Sequence, residues 1–261
     1  MNYIYVYLGK IPEYMNDSIK SVKRVDPTAN IIQVTDNNLN DIISDQTREV
    51  MKLSLSLGRL NPVDNQLWYT SLYRCFLLRD AAKIHGGDYV HFDSDVILYE
   101  PFDKIKHLFN KEQINITFAE KHVAVFGYSY FPNVELNDLL CNHLFRSFVE
   151  EDYRNKLEPR APNEMRLIGG IAREWNFINR LTTIPNEKSD YVFDPSSYGQ
   201  YFAGTLRHPP GWFGEHHLIG KEIGAGNLKP MMNLFENKPY VNEVPIINLH
   251  IHSKKTKDYV S

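Results

Sequence analysis

Two aspartates separated by one residue, Asp93-Ser94-Asp95, directly follow the hydrophobic run Tyr89-Val90-His91-Phe92 and precede another, Val96-Ile97-Leu98. In open α/β sheets, ligands gather at the carboxyl ends of strands. Two residues apart in extended chain, both carboxylates point the same way and are able to share one hard cation, Mg²⁺ or Mn²⁺. The pattern is short, and a solvated turn also produces it. A second group of chemistry-bearing residues lies near the end of the chain, in Asn248-Leu249-His250-Ile251-His252-Ser253-Lys254-Lys255. Strand alternation sets His250 and His252 on one face. A lone histidine on an apolar strand is usually a packed one. A pair followed at once by two lysines is less easily read that way.

The elements that must carry these groups follow from hydrophobic period and breakers. Tyr3 to Leu8 reads as a buried strand ended by Gly9, and Pro12 to Val25 as a helix with Ile11, Met15, Ile19 and Val22 on one stripe. Ile31 to Val34 is a second strand, running into the turn cluster Thr35-Asp36-Asn37-Asn38. Leu39 to Leu57 reads as one helix closed by Gly58. Gln66 to Ile84 reads as a longer one, with Trp68, Leu72, Phe76 and Ile84 on a stripe. Gly86-Gly87 then lead into the strand Tyr89 to Phe92. Strands alternating with helices imply a parallel sheet wound in βαβ units. Further on, Ile114 to Ala119 and His122 to Tyr130 read as strands, Leu136 to Glu151 as a helix, and Pro245 to Ile251 as the last strand. Asp152 to Asn163 and Thr182 to Asp190 read as irregular, as does the long stretch from Asp194 to Pro230. The aromatics of that stretch, Tyr198, Tyr201, Phe202, Trp212 and Phe213, argue for order and a functional loop.

The run from Leu77 through His85-Gly86-Gly87-Asp88-Tyr89-Val90-His91-Phe92-Asp93-Ser94-Asp95-Val96 resembles the DXD block of GT-A glycosyltransferases. Tyr99-Glu100-Pro101-Phe102 extends the similarity, and Trp68 to Phe76 is similar to the Trp/Arg-Phe stretch of polysaccharide-building members. The resemblance implies one α/β domain over 1–261 with a mostly parallel central sheet flanked by helices. Residues 1–110 would form its nucleotide-sugar half, and 111–261 a less regular acceptor half. It implies a metal, Mn²⁺ or Mg²⁺, held by Asp93 and Asp95 and completed by a C-terminal histidine. His250 and His252 both remain open for that place, because the segment lacks the glycine of the commonest version.

Donor contacts implied by the resemblance fall on Leu8, Gly9, Thr35, Asp36, Arg74, Ser94, Lys254 and Lys255, with Asp36 on the base or ribose and the lysines on the diphosphate. Gln200, Tyr201 and Gly204 belong to a loop similar to a sugar-facing one. Asp194 and Glu120 are the carboxylates to try as a general base, should the reaction invert the anomeric centre. The implied reaction moves a sugar from a nucleoside-diphosphate sugar, UDP favoured, to a hydroxyl of a glycan. A nucleotidyl- or phosphotransferase and a catalytically inactive carbohydrate-binding protein are the alternatives. A GxxxxGK[ST] loop is missing, which disfavours the first of these.

Bulk properties narrow the field further. A net charge of -3 excludes a general nucleic-acid binder, which needs a basic excess. Two cysteines, Cys75 and Cys141, without CxxC spacing suit buried thiols in a reducing compartment and not a disulfide scaffold. The apolar N-terminus is too short and lacks the basic leader of a signal peptide, and no apolar run is long enough for a membrane span. A cytoplasmic protein is the expectation.

Overall fold

The computed structural model describes residues 1–56, 66–159, 163–233 and 237–260, with the backbone alone for 54–56 and 66–69. The first part of the chain forms β1 (Asn2–Val6), α1 (Glu13–Val25), β2 (Asn30–Val34), α2 (Leu39–Ile42), α3 (Asp45–Ser56), α4 (Gln66–His85), β3 (Tyr89–His91), β4 (Val96–Leu98) and α5 (Phe102–Ile105). Then come β5 (Ile114–Glu120), β6 (Val123–Phe131), α6 (Val134–Val149), α7 (Glu151–Leu157), α8 (Glu164–Glu174) and β7 (Ile178–Arg180). The last part holds α9 (Ser197–Ala203), α10 (Leu218–Gly224), β8 (Pro230–Asn233), β9 (Lys238–Val241), β10 (Val244–Pro245) and β11 (Asn248–His250).

Six strands make the central sheet in the order β2-β1-β3-β6-β5-β7. β1 pairs in parallel with both β2 and β3, β5 pairs in parallel with β7, and β6 runs antiparallel to its two neighbours. The sheet is therefore mostly parallel, as the alternation of elements predicted. It takes strands from both halves of the chain. Alternation along β1 divides the core: Ile4 and Val6 join one cluster with Phe76, Leu77 and Leu144, while Tyr3 and Tyr5 join another with Phe92, Tyr128 and Phe193. This is the period of two that a sheet covered on both faces requires.

Several expected elements change in detail. The single helix from Leu39 breaks into α2 and α3, because Ser44 caps the second: its hydroxyl accepts the Thr47 N–H at 3.3 Å, while the Ser44 N–H donates to Asp80 Oδ2 at 2.8 Å. The expected end of that helix, Leu57 and Gly58, lies outside the described residues, as does the side chain of Trp68. On α4, Leu72 and Phe76 are buried as expected, but Ile84, in the last turn, is exposed. The polar stretch after Glu151 holds α7, whose Tyr153 and Leu157 are buried, and the stretch from Asp194 to Pro230 holds α9 and α10. The last expected strand splits. Pro245 belongs to β10, and Asn248 to His250 form β11, which pairs antiparallel with β4.

That final pairing positions the chemistry. β3 lies in the central sheet and β4 in the two-stranded sheet with β11, so Asp93-Ser94-Asp95 is the link between two sheets. The register opposes His250 to Val96, the residue after Asp95.

Candidate active site

The Val96 N–H donates to the Asp93 carbonyl at 3.1 Å, closing a turn over Ser94 and Asp95. The two aspartates therefore do not share a face by strand alternation, as the sequence suggested. The turn brings their carboxylates together instead. Both ends of the turn are fixed. The Asp93 N–H donates to the Phe126 carbonyl at 2.7 Å on β6, and the Asp95 carbonyl accepts the Ile251 N–H at 2.9 Å.

His250 reaches the turn from β11. Its Nδ1 lies 2.9 Å from the Pro195 carbonyl, a bond that requires the proton on Nδ1. Its Nε2 then faces Asp93 Oδ2 at 3.5 Å and Asp95 Oδ1 at 3.2 Å. Ligand atoms of Asp93, Asp95 and His250 lie within 4.8 Å of one another. His252, the other sequence candidate, is not in this group. Strand alternation ends at His250, and a turn closed by the Lys254 N–H on the Ile251 carbonyl at 3.0 Å follows. The His252 ring stands edge-on to His250 at 4.5 Å between centroids, and its Nδ1 is 3.5 Å from Gln200 Nε2.

Beneath His250 the backbone is cross-tied by one buried carboxylate. Asp194 accepts the N–H groups of Tyr198 at 2.9 Å, Gly199 at 2.8 Å and His250 at 3.0 Å. The Asn248 amide donates to the Gly127 and Asp194 carbonyls at 3.0 and 2.8 Å. α9 lies so close to β11 that a Cβ on Gly199 would stand 2.1 Å from the His250 carbonyl oxygen. Only glycine permits that approach.

The electrostatics follow from this crowding. Burial would lower the His250 pKa, but Asp95 and Asp93 outweigh it and push it up to about 9. The imidazole between the two carboxylates therefore favours its protonated form. Burial would raise both aspartates. Arg74 and His250 nevertheless hold Asp93 below the usual carboxylate range, and His250 with Lys254 does the same for Asp95. Burial also pushes Asp194 up to about 6, against the three N–H groups it accepts.

The two aspartates have different outer partners. Arg74 on α4 pairs with Asp93 and, at 3.1 Å, with Glu164 at the start of α8, while its guanidinium lies 4.5 Å from the Phe126 ring centroid. Arg74 Nε and Glu164 Oε2 are buried and have no hydrogen-bond partner among the described residues. Asp95 pairs with Lys254, an exposed residue at φ 62°. The Lys254 ammonium also lies 5.0 Å from the Tyr14 ring, and the Tyr14 hydroxyl lies 3.4 Å from the Tyr7 hydroxyl.

The remaining sequence candidates fall around this centre in different ways. At the carboxyl ends of β1 and β2, the Gly9 N–H donates to Asp36 Oδ2 at 2.5 Å and the Thr35 N–H to Asn38 Oδ1 at 2.8 Å, with Leu8 half-buried beside them. Gln200 is buried, its Oε1 without a partner among the described residues, and Tyr201 is half-buried against Phe202. Gly204 ends α9 at φ 71°. Lys255 is exposed. Glu120 ends β5 within electrostatic reach of His217 and is not among the groups that converge on Asp93. Sequence reasoning missed Glu164 and Tyr14. Glu164 follows a polar stretch and gains its place only by pairing with Arg74 across the fold.

No family model and no curated protein matches the sequence. Among solved structures the chain is similar to an active-site mutant of LgtC, at 11% identity over 80% of each chain with a TM-score of 0.46. It is similar to mouse xyloside xylosyltransferase 1 in its apo form, at 10% identity over 70% of this chain and 86% of that one, TM-score 0.45. A glycosyltransferase involved in the glycosylation of the major capsid of PBCV-1 matches at 10% identity over 73% and 85%, TM-score 0.37. At these scores the likeness says nothing about a reaction.

Proposed function

We propose that the chain is a glycosyltransferase that takes a sugar from a nucleoside diphosphate, UDP foremost, and passes it to a hydroxyl of a glycan with the help of a divalent cation. The observation that carries this reading is the convergence of Asp93, Asp95 and His250 within 4.8 Å, flanked by one buried and one exposed cation. Two carboxylates and an imidazole oriented through its other nitrogen suit Mn²⁺ or Mg²⁺. Bound there, the ion supplies Lewis-acid neutralisation of a diphosphate leaving group.

The protein's own residues do the rest. Lys254 exchanges Asp95 for phosphate oxygens, adding fixed positive charge where negative charge builds. Arg74 Nε and Glu164 Oε2, a donor and an acceptor without partners among the described residues, receive hydroxyls of the sugar to be transferred. Leu8, Gly9, Thr35 and Asp36 receive base and ribose at the ends of β1 and β2, and Asp36 has Gly9 already oriented. Gln200, Tyr201 and Gly204 with His252 face the acceptor. Residues 1–110 accordingly serve mainly the nucleotide and 111–261 the acceptor. Asp194 acts as a positioning residue and not as a base, since backbone N–H groups occupy both of its oxygens.

A thermal-shift panel with Mn²⁺ and UDP-glucose, UDP-galactose, UDP-xylose or GDP-mannose tests the reading. A ligand at about 100 times its Kd stabilises by about 2.7 kcal/mol. Because protein and diphosphate together build the ion's shell, metal plus one nucleotide sugar should stabilise by more than the two separate shifts added. Strictly additive shifts across the panel would overturn the shared site.

A further inference from the structure

α9 leaves the active centre and ends in an exposed loop that is nevertheless fixed. Its first turn packs on His250 through Gly199, and Gln200 reaches His252. About 7 Å further along the helix axis, Gly204 turns the chain into the segment 205–212. There the Thr205 N–H donates to the His208 carbonyl at 2.8 Å, and the Thr205 hydroxyl accepts the N–H groups of Arg207 at 3.1 Å and His208 at 3.0 Å. The Gly211 N–H returns to the Tyr201 carbonyl at 2.6 Å. A Cβ on Gly204 would stand 2.4 Å from the His208 carbonyl, so the loop folds back on its own origin. Two consecutive prolines, Pro209 and Pro210, stiffen the tip.

This rigid loop displays a pair of stacked aromatic rings. The exposed His208 ring stacks on the half-buried Trp212 ring at 4.2 Å between centroids, with planes 6° apart. Leu206 beside them is 79% exposed. The same arm carries Gln200, whose Oε1 is buried and unpartnered among the described residues. Buried polar atoms in folded proteins nearly always have partners, so a missing one points to an absent ligand. One helix therefore joins this acceptor, on a side chain that reaches His252, to a stacked aromatic pair at the surface.

We infer that the His208–Trp212 ledge is a second carbohydrate subsite, which stacks the apolar face of a sugar ring one or more units away from the ring that receives the transferred sugar. The inference rests on the glycosyltransferase reading and deepens it: the acceptor is a chain of at least two sugars. A pyranose ring exposes axial C–H groups on one face, and aromatic rings attract such partly positive edges. A single free sugar would engage Gln200 and leave the ledge empty.

The test uses the full chain with UDP and Mn²⁺, and saturation-transfer NMR with lactose, maltose, cellobiose and chitobiose. Stacking tolerates differences in hydroxyl pattern, so at least one disaccharide should bind the wild type. W212A should weaken that binding about fivefold or more, the factor of one stacking contact, and W212F should recover most of it. Release of UDP from a nucleotide sugar by water should be unchanged in W212A, because the ledge takes no part in holding the donor. Failure of all four disaccharides to bind, or equal binding by W212A, overturns the ledge even when nucleotide and metal bind together. Sugar binding that depends on Trp212 in a protein showing no joint binding of Mn²⁺ and nucleotide would keep the ledge and overturn the transferase.

Discussion

Asp93 and Asp95 stand two positions apart in one turn, yet the fold has given them opposite surroundings. Asp93, itself 22% exposed, pairs with Arg74, whose side chain is 13% exposed and is held by Glu164 and the Phe126 ring. Asp95 faces Lys254, whose side chain is 38% exposed on the turn after β11. A guanidinium held on several sides keeps its place, whereas an exposed ammonium on a flexible stem readily changes partners. The lesson is one of division of labour: the inner pair sets the geometry of the cation site, and the outer pair can open toward a ligand.

Removing Arg74 should give the largest effect. R74A leaves Glu164 buried without its counter-charge and takes from Asp93 one of the two groups that pair with it. Losing one partner of a buried ion pair costs about 3–5 kcal/mol, which chemical denaturation would register directly. A loss under about 1 kcal/mol would mean that the inner pair is no more structural than a surface one. R74K should recover only part of the stability, because an ammonium cannot span both carboxylates in a fork.

Lys254 should behave in the reverse manner. K254A should change stability by about 1 kcal/mol or less, while the rate of UDP release from a nucleotide sugar falls about tenfold or more. The loss belongs in kcat more than in KM, since the leaving phosphate gains charge as the bond breaks. Equal losses of stability in R74A and K254A would erase the contrast between the two aspartates.

The smallest and most graded effect is with pH. His250, shared by both aspartates, must give up its proton to bind a metal ion, and its folded pKa is raised to about 9. Apparent Mn²⁺ affinity, read by calorimetry, should therefore climb about tenfold per pH unit while the imidazole stays protonated. H250Q should flatten that slope. In the metal-free protein the sign is opposite. The pKa rises on folding from 6.5 to about 9, so the stabilisation His250 provides is fully present below 6.5 and is lost as pH rises toward 9.

The groups that declare themselves by type were legible in the sequence: the aspartate pair after an apolar strand, the late histidines and lysines, and the long helix that became α4. What carries less local signal was not. The convergence of Asp93 and Asp95 depends on a turn where alternation predicted a strand. Which histidine lies between them is decided where β11 stops pairing with β4, at the last register pair, His250 with Val96. Glu164 owes its position to a contact with Arg74, 90 residues away, and Asp194 ties the start of α9 to His250, 56 residues on, so no window around either residue contains the whole of its role. α7 escaped notice because a seven-residue helix needs only Tyr153 and Leu157 inward, too few for a period to show.

The left-handed backbone of Lys254 sets a constraint on how this site can diversify. A side chain at φ 62° costs about 1 kcal/mol or more relative to glycine, so the position answers to two selections at once, one for turn shape and one for charge. Glycine satisfies the first and fails the second, and arginine does the reverse. Drift toward glycine at 254 is then permissible only where a neighbouring cation takes over, and exposed Lys255 is the nearest to inherit the task. Descendants of this sequence should consequently show paired changes at 254 and 255, with one cation retained between them and the backbone strain either kept or released.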